Sequence, residues 1–198
     1  IYESGERFAI ILISSPTAKY SANVTFSDVS VALKSITHAR KVLGPSKLRV
    51  MNTSRIDDTY MVERNQPNRQ SLICKRILLI GAGAIGGHLA DLLVRSGAGL
   101  GGGKLTIIDK DQLGVGNIGR HKLGFESLYS YKSEALAKQL KISFPTADID
   151  PVNKNVKDYP LTDGFDLVIN ATGEQSLSDW LSMKLNQDQF SPMLTVWI

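Results

Sequence analysis

The chain has 198 residues, 42% of them hydrophobic, and 23 Lys and Arg against 19 Asp and Glu give a net charge of +4. That length supports one full core and part of a second, and the charges are interspersed, so they do not favour nucleic acid over a polyphosphate or an acidic partner. The single cysteine, Cys74, excludes a disulfide framework and a multi-cysteine zinc site and suits a reducing, cytoplasmic setting, while no apolar run reaches the roughly 18–20 residues of a membrane span.

The chain starts at Ile1 without a methionine and ends on the apolar run LTVWI, and we expect it to be a piece of a longer protein. Phe8–Ser14 (FAIILIS) is a short apolar run closed by Ser-Ser-Pro, which predicts a buried strand. Asn23–Phe26 predicts a second. Val29, Val31, Leu33, Ile36 and Val42 fall at roughly helical spacing over Asp28–Leu43, and Gly44-Pro45 ends that segment. Residues 1–54 carry no chemical motif and are left unassigned, as the tail of an upstream module or an extra subdomain. Residues 55–71 are polar and predict a linker or an extended arm.

The character of the sequence changes near Lys75, and residues 72–198 predict one nucleotide-binding domain. Arg76–Ile80 (RILLI) is continuously apolar after its arginine, as a strand buried on both faces of a parallel sheet should be. Gly81–Gly87 turns the chain, and Ile85–Arg95 has helical spacing closed by Gly97. Leu105–Ile108 predicts the next strand, ending at Asp109. Ser133–Ser143 is built of good helix formers and is stopped by Pro145. Asp163–Thr172 predicts a strand, Ser176–Leu185 a helix and Met193–Ile198 a last strand. Alternating strands and helices imply an α/β fold with a Rossmann-like, doubly wound, mostly parallel sheet, preceded by a small N-terminal α+β segment.

Gly81-Ala82-Gly83-Ala84-Ile85-Gly86 is G-x-G-x-x-G in its proper setting, after a strand and opening a helix. The first glycine permits the tight turn, the second lets backbone approach a phosphate, and the third lets helix and strand pack closely. The helix N-terminus adds free N–H groups and the positive end of its dipole. Asp109 follows Gly86 by about 20 residues, where a carboxylate accepts hydrogen bonds from ribose hydroxyls. These features alone leave the nucleotide open, since an NAD(P)-dependent oxidoreductase would show them too.

The stretch beyond Asp109 separates the two. It holds Asp111, Asn117 and Arg120, followed by Lys132 at the head of the helix SEALAKQLK. Hydride transfer has no use for an arginine and a lysine there. Attack on an α-phosphate does, because charge accumulates on the departing pyrophosphate, where a guanidinium fork and an ammonium point charge stabilise it. No Tyr-x-x-x-Lys or His-centred acid–base pair of a dehydrogenase is evident either.

The series D-x-D…N-x-x-R, then K-S-E-A, with GNIGRHKLG, YKSEALAKQL and FDLVINATGE, resembles the ThiF/MoeB/HesA family of ubiquitin-activating-type adenylation domains, and in particular bacterial ThiF-domain proteins. The resemblance covers Leu72–Ile198. It implies an enzyme that binds Mg-ATP and a ubiquitin-like or sulfur-carrier protein ending in glycine, and that transfers AMP to that C-terminal carboxylate with release of pyrophosphate. It also implies a homodimer; the interspersed charges and the lack of a membrane-length apolar run lead us to expect no nucleic-acid or membrane partner. Carried over, Gly81, Gly83 and Gly86 form the phosphate turn, Asp109 holds the ribose, Asp111 and Asn117 lie beside the nucleotide, and Arg120 and Lys132 contact phosphates.

One departure bears on the metal. The family's D-x-T-D segment is here Asn170-Ala171-Thr172-Gly173, so glycine stands where an aspartate usually helps hold magnesium. Magnesium wants hard oxygen ligands, and Glu174 is the expected substitute; its plainer role is to cap the next helix, and a catalytically degenerate binding module stays open. Relatives also form a thioester on a cysteine, a role Cys74 cannot take from the far end of the sheet. They further place an N-terminal arginine in a neighbour's site, for which Arg64 is the candidate here. His121, next to Arg120, is a candidate to line the site, whereas His88 is expected to pack.

Overall fold

A computed structural model describes residues 9–14, 22–26, 47–52, 57–65, 70–161, 164–187 and 192–197. The chain divides into two compact units, Ile1–Asp57 and Asp58–Ile198. In the first, strands β1 (Ala9–Ser14), β2 (Ala22–Phe26) and β3 (Lys47–Asn52) form an antiparallel sheet in the order β2-β1-β3. Central β1 pairs Ile11 with Val24 on one side and Val50 on the other. Strand β3 alternates Leu48 and Val50 with Lys47 and Arg49 in sequence, and was not anticipated above. The helix expected over Asp28–Leu43, with His38, lies outside the described residues.

The second unit opens with a helix where a polar linker was expected. Helix α1 (Asp58–Asn65) buries Val62, 3% exposed, in the main core, and Thr146 donates from Oγ1 to Asp58 at 2.8 Å. Its apolar residues Tyr60, Met61 and Val62 are consecutive rather than spaced at three and four, so the sequence gave no helical stripe to read.

Five strands follow: β4 (Arg76–Ile80), β5 (Lys104–Ile108), β6 (Ile149–Val152), β7 (Leu167–Asn170) and β8 (Met193–Thr195). They form an all-parallel sheet in the order β6-β5-β4-β7-β8. Helices α2 (Ala84–Arg95), α3 (Lys132–Ser143) and α4 (Gln175–Gln187) are the crossovers. Alternate strand residues enter opposite layers. Ile77, Leu79, Leu105 and Ile107 pack with α2 and α3 through Ala90, Leu93, Leu136 and Leu140. Leu78, Ile80, Ile108 and Val168 pack with α4 through Leu177, Leu181 and Leu185. Burial on both faces is the reason the apolar run Ile77–Ile80 is unbroken in sequence.

The order reverses at β4. The chain winds outward through β5 and β6, then returns to build β7 and β8 on the other side. Loops leaving β4 and β7 therefore diverge and leave a crevice at their C-terminal ends, the usual ligand position in such sheets. Among the described residues no helix is long and apolar enough to cross a membrane.

Candidate functional site

The glycine turn starts at that crevice. Gly81 has φ +92°, and a Cβ there would press on Thr172 Cγ2 and the Ala171 carbonyl at 3.0–3.1 Å. At Gly83 a Cβ would meet no described atom within 4 Å, so the turn is open on that side. A Cβ at Gly86 would sit 1.8 Å from the Gly81 oxygen, so only glycine lets α2 start so close to the turn. Gly86 lines neither cleft described below; its place in the motif is one of packing.

Two clefts meet on the turn. One, of about 510 Å³, is lined by Gly83–Ile85, Asn117, Arg120, His121, Lys132, Thr172, Gly173, Gln175 and Trp197 among others. The second, of about 260 Å³, contains Gly81, Asp109, Asp111, Lys154, Lys157 and Glu174. Gly83, Lys132, Ala171 and Thr172 border both. Of the nine residues assigned from sequence to the nucleotide, its phosphates or the metal, eight border one or other cleft, Gly86 being the exception, and the further candidate His121 borders the larger.

Asp109 ends β5 half-buried and braces the turn. Its Oδ2 accepts the Ala82 N–H at 2.7 Å, and its Oδ1 accepts the Asp111 N–H at 2.8 Å. A carboxylate has about four lone-pair positions, so capacity remains for a ligand hydroxyl. Asp111 accepts the backbone N–H of Lys132 at 3.0 Å, and its carboxylate lies 3.4 Å from Lys132 Nζ. Lys132 is only 9% exposed and opens α3. Asn117 accepts the Gly114 N–H at 2.9 Å and in turn anchors the next turn, its carbonyl accepting the N–H groups of Arg120 and His121. Arg120 itself is exposed at the mouth of the larger cleft.

His121 is buried against this turn. Nδ1 accepts the Leu123 N–H at 3.1 Å, so the proton sits on Nε2, which donates to the Ala82 carbonyl at 2.6 Å. Burial holds its pKa below the usual imidazole value, with Lys132 and His88 acting the same way and the Ala82 carbonyl and Asp109 opposing. His88, expected to pack, is exposed on α2.

Across the crevice, the loop after β7 is held by buried Asn170. Its Oδ1 accepts from the N–H and Oγ1 of Thr172, and its Nδ2 donates to Ser178 Oγ at 2.9 Å. Gly173 follows at φ +73°, and Glu174 stands just before α4, its N–H donating to Thr172 Oγ1. Among the described residues no three His, Cys, Asp or Glu side chains come together to hold a metal. Magnesium is commonly held by one or two carboxylates plus phosphate oxygens and water, and Glu174 and Asp111, bordering one cleft, fit that pattern with a polyphosphate present.

Thr172, Gln175, Trp197, Lys154 and Lys157 border the clefts without having been singled out from sequence. The lysines follow β6, whose sequence IDPV hides it: Pro151 cannot donate to a ladder and is tolerated because β6 is an edge strand. Arg64 lies on α1, its Nη1 donating to Tyr60 Oη at 3.5 Å; Arg55 lies outside the described residues. Cys74 precedes β4 at the sheet's opposite end, exposed, its thiol 2.9 Å from the Gly101 carbonyl.

A doubly wound parallel sheet with a glycine turn, a helix N-terminus and two buried or cleft-facing cations at its switch point defines a Rossmann-like α/β domain built to receive an anionic ligand. The chain belongs to the ThiF family, whose model matches residues 58–185. It is 43% identical over 190 residues to the ATP-dependent ubiquitin transferase-like protein Cap2 of Pseudomonas aeruginosa (strain BWHPSA011 / Pa011), covering 96% of this chain and 34% of that protein. A protein of the same name from Escherichia coli (strain TW11681) is 33% identical, covering 89% of this chain and 33% of its own length. The chain thus spans about a third of the curated relatives it matches. Among solved structures, E. coli tRNA N6-threonylcarbamoyladenosine dehydratase, TcdA, in complex with AMP superposes with TM-score 0.59 at 22% identity over 72% of this chain and 62% of that one, a likeness of fold.

Proposed function

We propose that this chain is the nucleotide-binding core of an enzyme that adenylates the C-terminal glycine carboxylate of a ubiquitin-like or sulfur-carrier-like protein. The observation that carries the reading is the convergence of Gly83, Asn117, Arg120 and Lys132 on one cleft at the switch point. The 43% identical relative bears the name ATP-dependent ubiquitin transferase-like, which supports ATP as nucleotide and a protein as acceptor. A structure of the same fold is in complex with AMP, which supports an adenine nucleotide as ligand.

In this reading the triphosphate lies on the glycine turn and the N-terminus of α2, where N–H groups and the helix dipole favour an anion. Asp109 takes the ribose hydroxyls, with Asp111 and Asn117 beside the nucleotide. The acceptor carboxylate attacks the α-phosphorus, the bond to the bridging oxygen breaks, and pyrophosphate leaves with the electron pair. Arg120 and Lys132 stabilise the charge that grows on it. Glu174 would supply a carboxylate oxygen to magnesium, which would neutralise phosphate charge. Two copies pair as a homodimer, for which exposed Phe125, Tyr129 and Tyr131 offer uncovered apolar surface.

The test is ATP–pyrophosphate exchange by the full-length protein with candidate glycine-ended proteins. Exchange that requires the acceptor, and that falls on the order of a hundredfold in Arg120→Ala as for loss of one transition-state charge contact, is the expected result. No exchange with any candidate, together with no ATP binding, overturns the reading.

A further inference from the structure

We propose that His121 is a positioning residue that sets the direction of the phosphate turn's peptide groups, acting through the Ala82 carbonyl from a single fixed tautomer. The proposal rests on the nucleotide reading above.

Two peptide planes make up the turn, and each is held by one side chain. The Gly81–Ala82 plane is held by Asp109, which accepts the Ala82 N–H at 2.7 Å. Its carbonyl then points the opposite way, because N–H and C=O are antiparallel in a trans peptide. That carbonyl is the Gly81 oxygen lying against Gly86. The Ala82–Gly83 plane is held by His121, whose Nε2 lies 2.6 Å from the Ala82 oxygen. By the same antiparallel rule the Gly83 N–H points away from the imidazole.

Gly83 makes this plane easy to turn over, since glycine accepts positive and negative φ about equally. Turned over, the plane would present a carbonyl oxygen where an N–H should face an anion. A donor on the Ala82 oxygen is what opposes the flip. The donor has to be Nε2–H, and the Leu123 N–H on Nδ1 secures that, because a proton on Nδ1 would meet another donor. The ring also lies against Gly87, where a Cβ would approach its Cε1 at 3.6 Å. Finally, the backbone N–H groups of Arg120 and His121 share the Asn117 carbonyl. The histidine therefore ties the arginine-bearing turn to the glycine turn.

The experiment is calorimetric titration of Mg-ATP into the full-length protein, comparing wild type with His121→Phe, which fills the space without a donor, and His121→Gln, which keeps an N–H at similar reach. We expect the phenylalanine variant to bind about tenfold more weakly, the scale of one lost hydrogen bond, and the glutamine variant to stay within about threefold of wild type. Wild-type affinity in His121→Phe, or equal weakening in both variants, overturns the positioning role while leaving the nucleotide reading intact. Failure of the wild type to bind Mg-ATP overturns both. The ring-nitrogen resonances of His121 in the wild-type protein, which need no variant, should show Nε2 protonated and Nδ1 unprotonated; a protonated Nδ1 at neutral pH overturns the role.

Discussion

Single side chains at the crevice do several jobs at once, and the effect of changing one follows from what it touches. His121 is held neutral chiefly by burial, so its folded pKa lies below its unfolded value of about 6.5. The unfolded chain therefore takes up a proton first as pH falls, and stability declines as pH drops through about 6.5 toward the folded value. Denaturant titrations from pH 8 to 5 should show that decline, and His121→Gln should flatten it. Burial first, then the Ala82 carbonyl, Lys132, Asp109 and His88, set how far below 6.5 the decline extends. Gly173 is the second position with a clear expectation. A Cβ there meets no described atom within 4 Å, but φ is +73°. Aspartate tolerates that region better than most residues, at a strain on the order of 1 kcal/mol. Gly173→Asp should lower the melting temperature by a few degrees at most while reducing the magnesium concentration needed for half-maximal exchange. An unchanged magnesium requirement would show that Glu174 and phosphate oxygens already suffice.

Helices and strands differ in how openly they announced themselves. Strand β4 was legible to the residue because Ile77–Ile80 are buried on both faces and all four are apolar. Helices α2 and α3 were legible from spacing and from the glycine turn and Pro145 that bound them. Strand β6 was not, because its four residues include Asp150 and Pro151, and only the edge position opposite Ile107 makes them a strand. Helix α1 was not, because one buried valine carries its packing. Removing a fully buried contact on α3 tests how firmly the crossover is seated. Leu136 is 0% exposed within the layer shared with β4 and β5. Leu136→Ala should cost about 2–5 kcal/mol in chemical denaturation. Ile142, 75% exposed near the end of the same helix, should tolerate Ile142→Ala with less than about 1 kcal/mol.

For the molecule as a whole, the sheet order matters more than any one element. The reversal at β4 brings the loops after β4, β5, β6 and β7 to one edge, so residues far apart in the chain border one pair of clefts. The choice of nucleotide is testable at this level without any variant. Mg-ATP should raise the melting temperature of the full-length protein by mass action, and NAD at equal concentration should not; a shift with NAD alone would favour the oxidoreductase reading. From its spacing alone the chain dictated the parallel, doubly wound sheet and the glycine turn, because apolar periodicity and positive-φ glycines are local consequences of backbone geometry. The ThiF family was legible too, in the order Asp111, Asn117, Arg120, Lys132. Packing in three dimensions settled the rest: that Lys154, Lys157, Thr172 and Trp197 border the clefts, and that His121 grips Ala82. Those relations join positions tens of residues apart, and only the strand order and the burial of the ring create them.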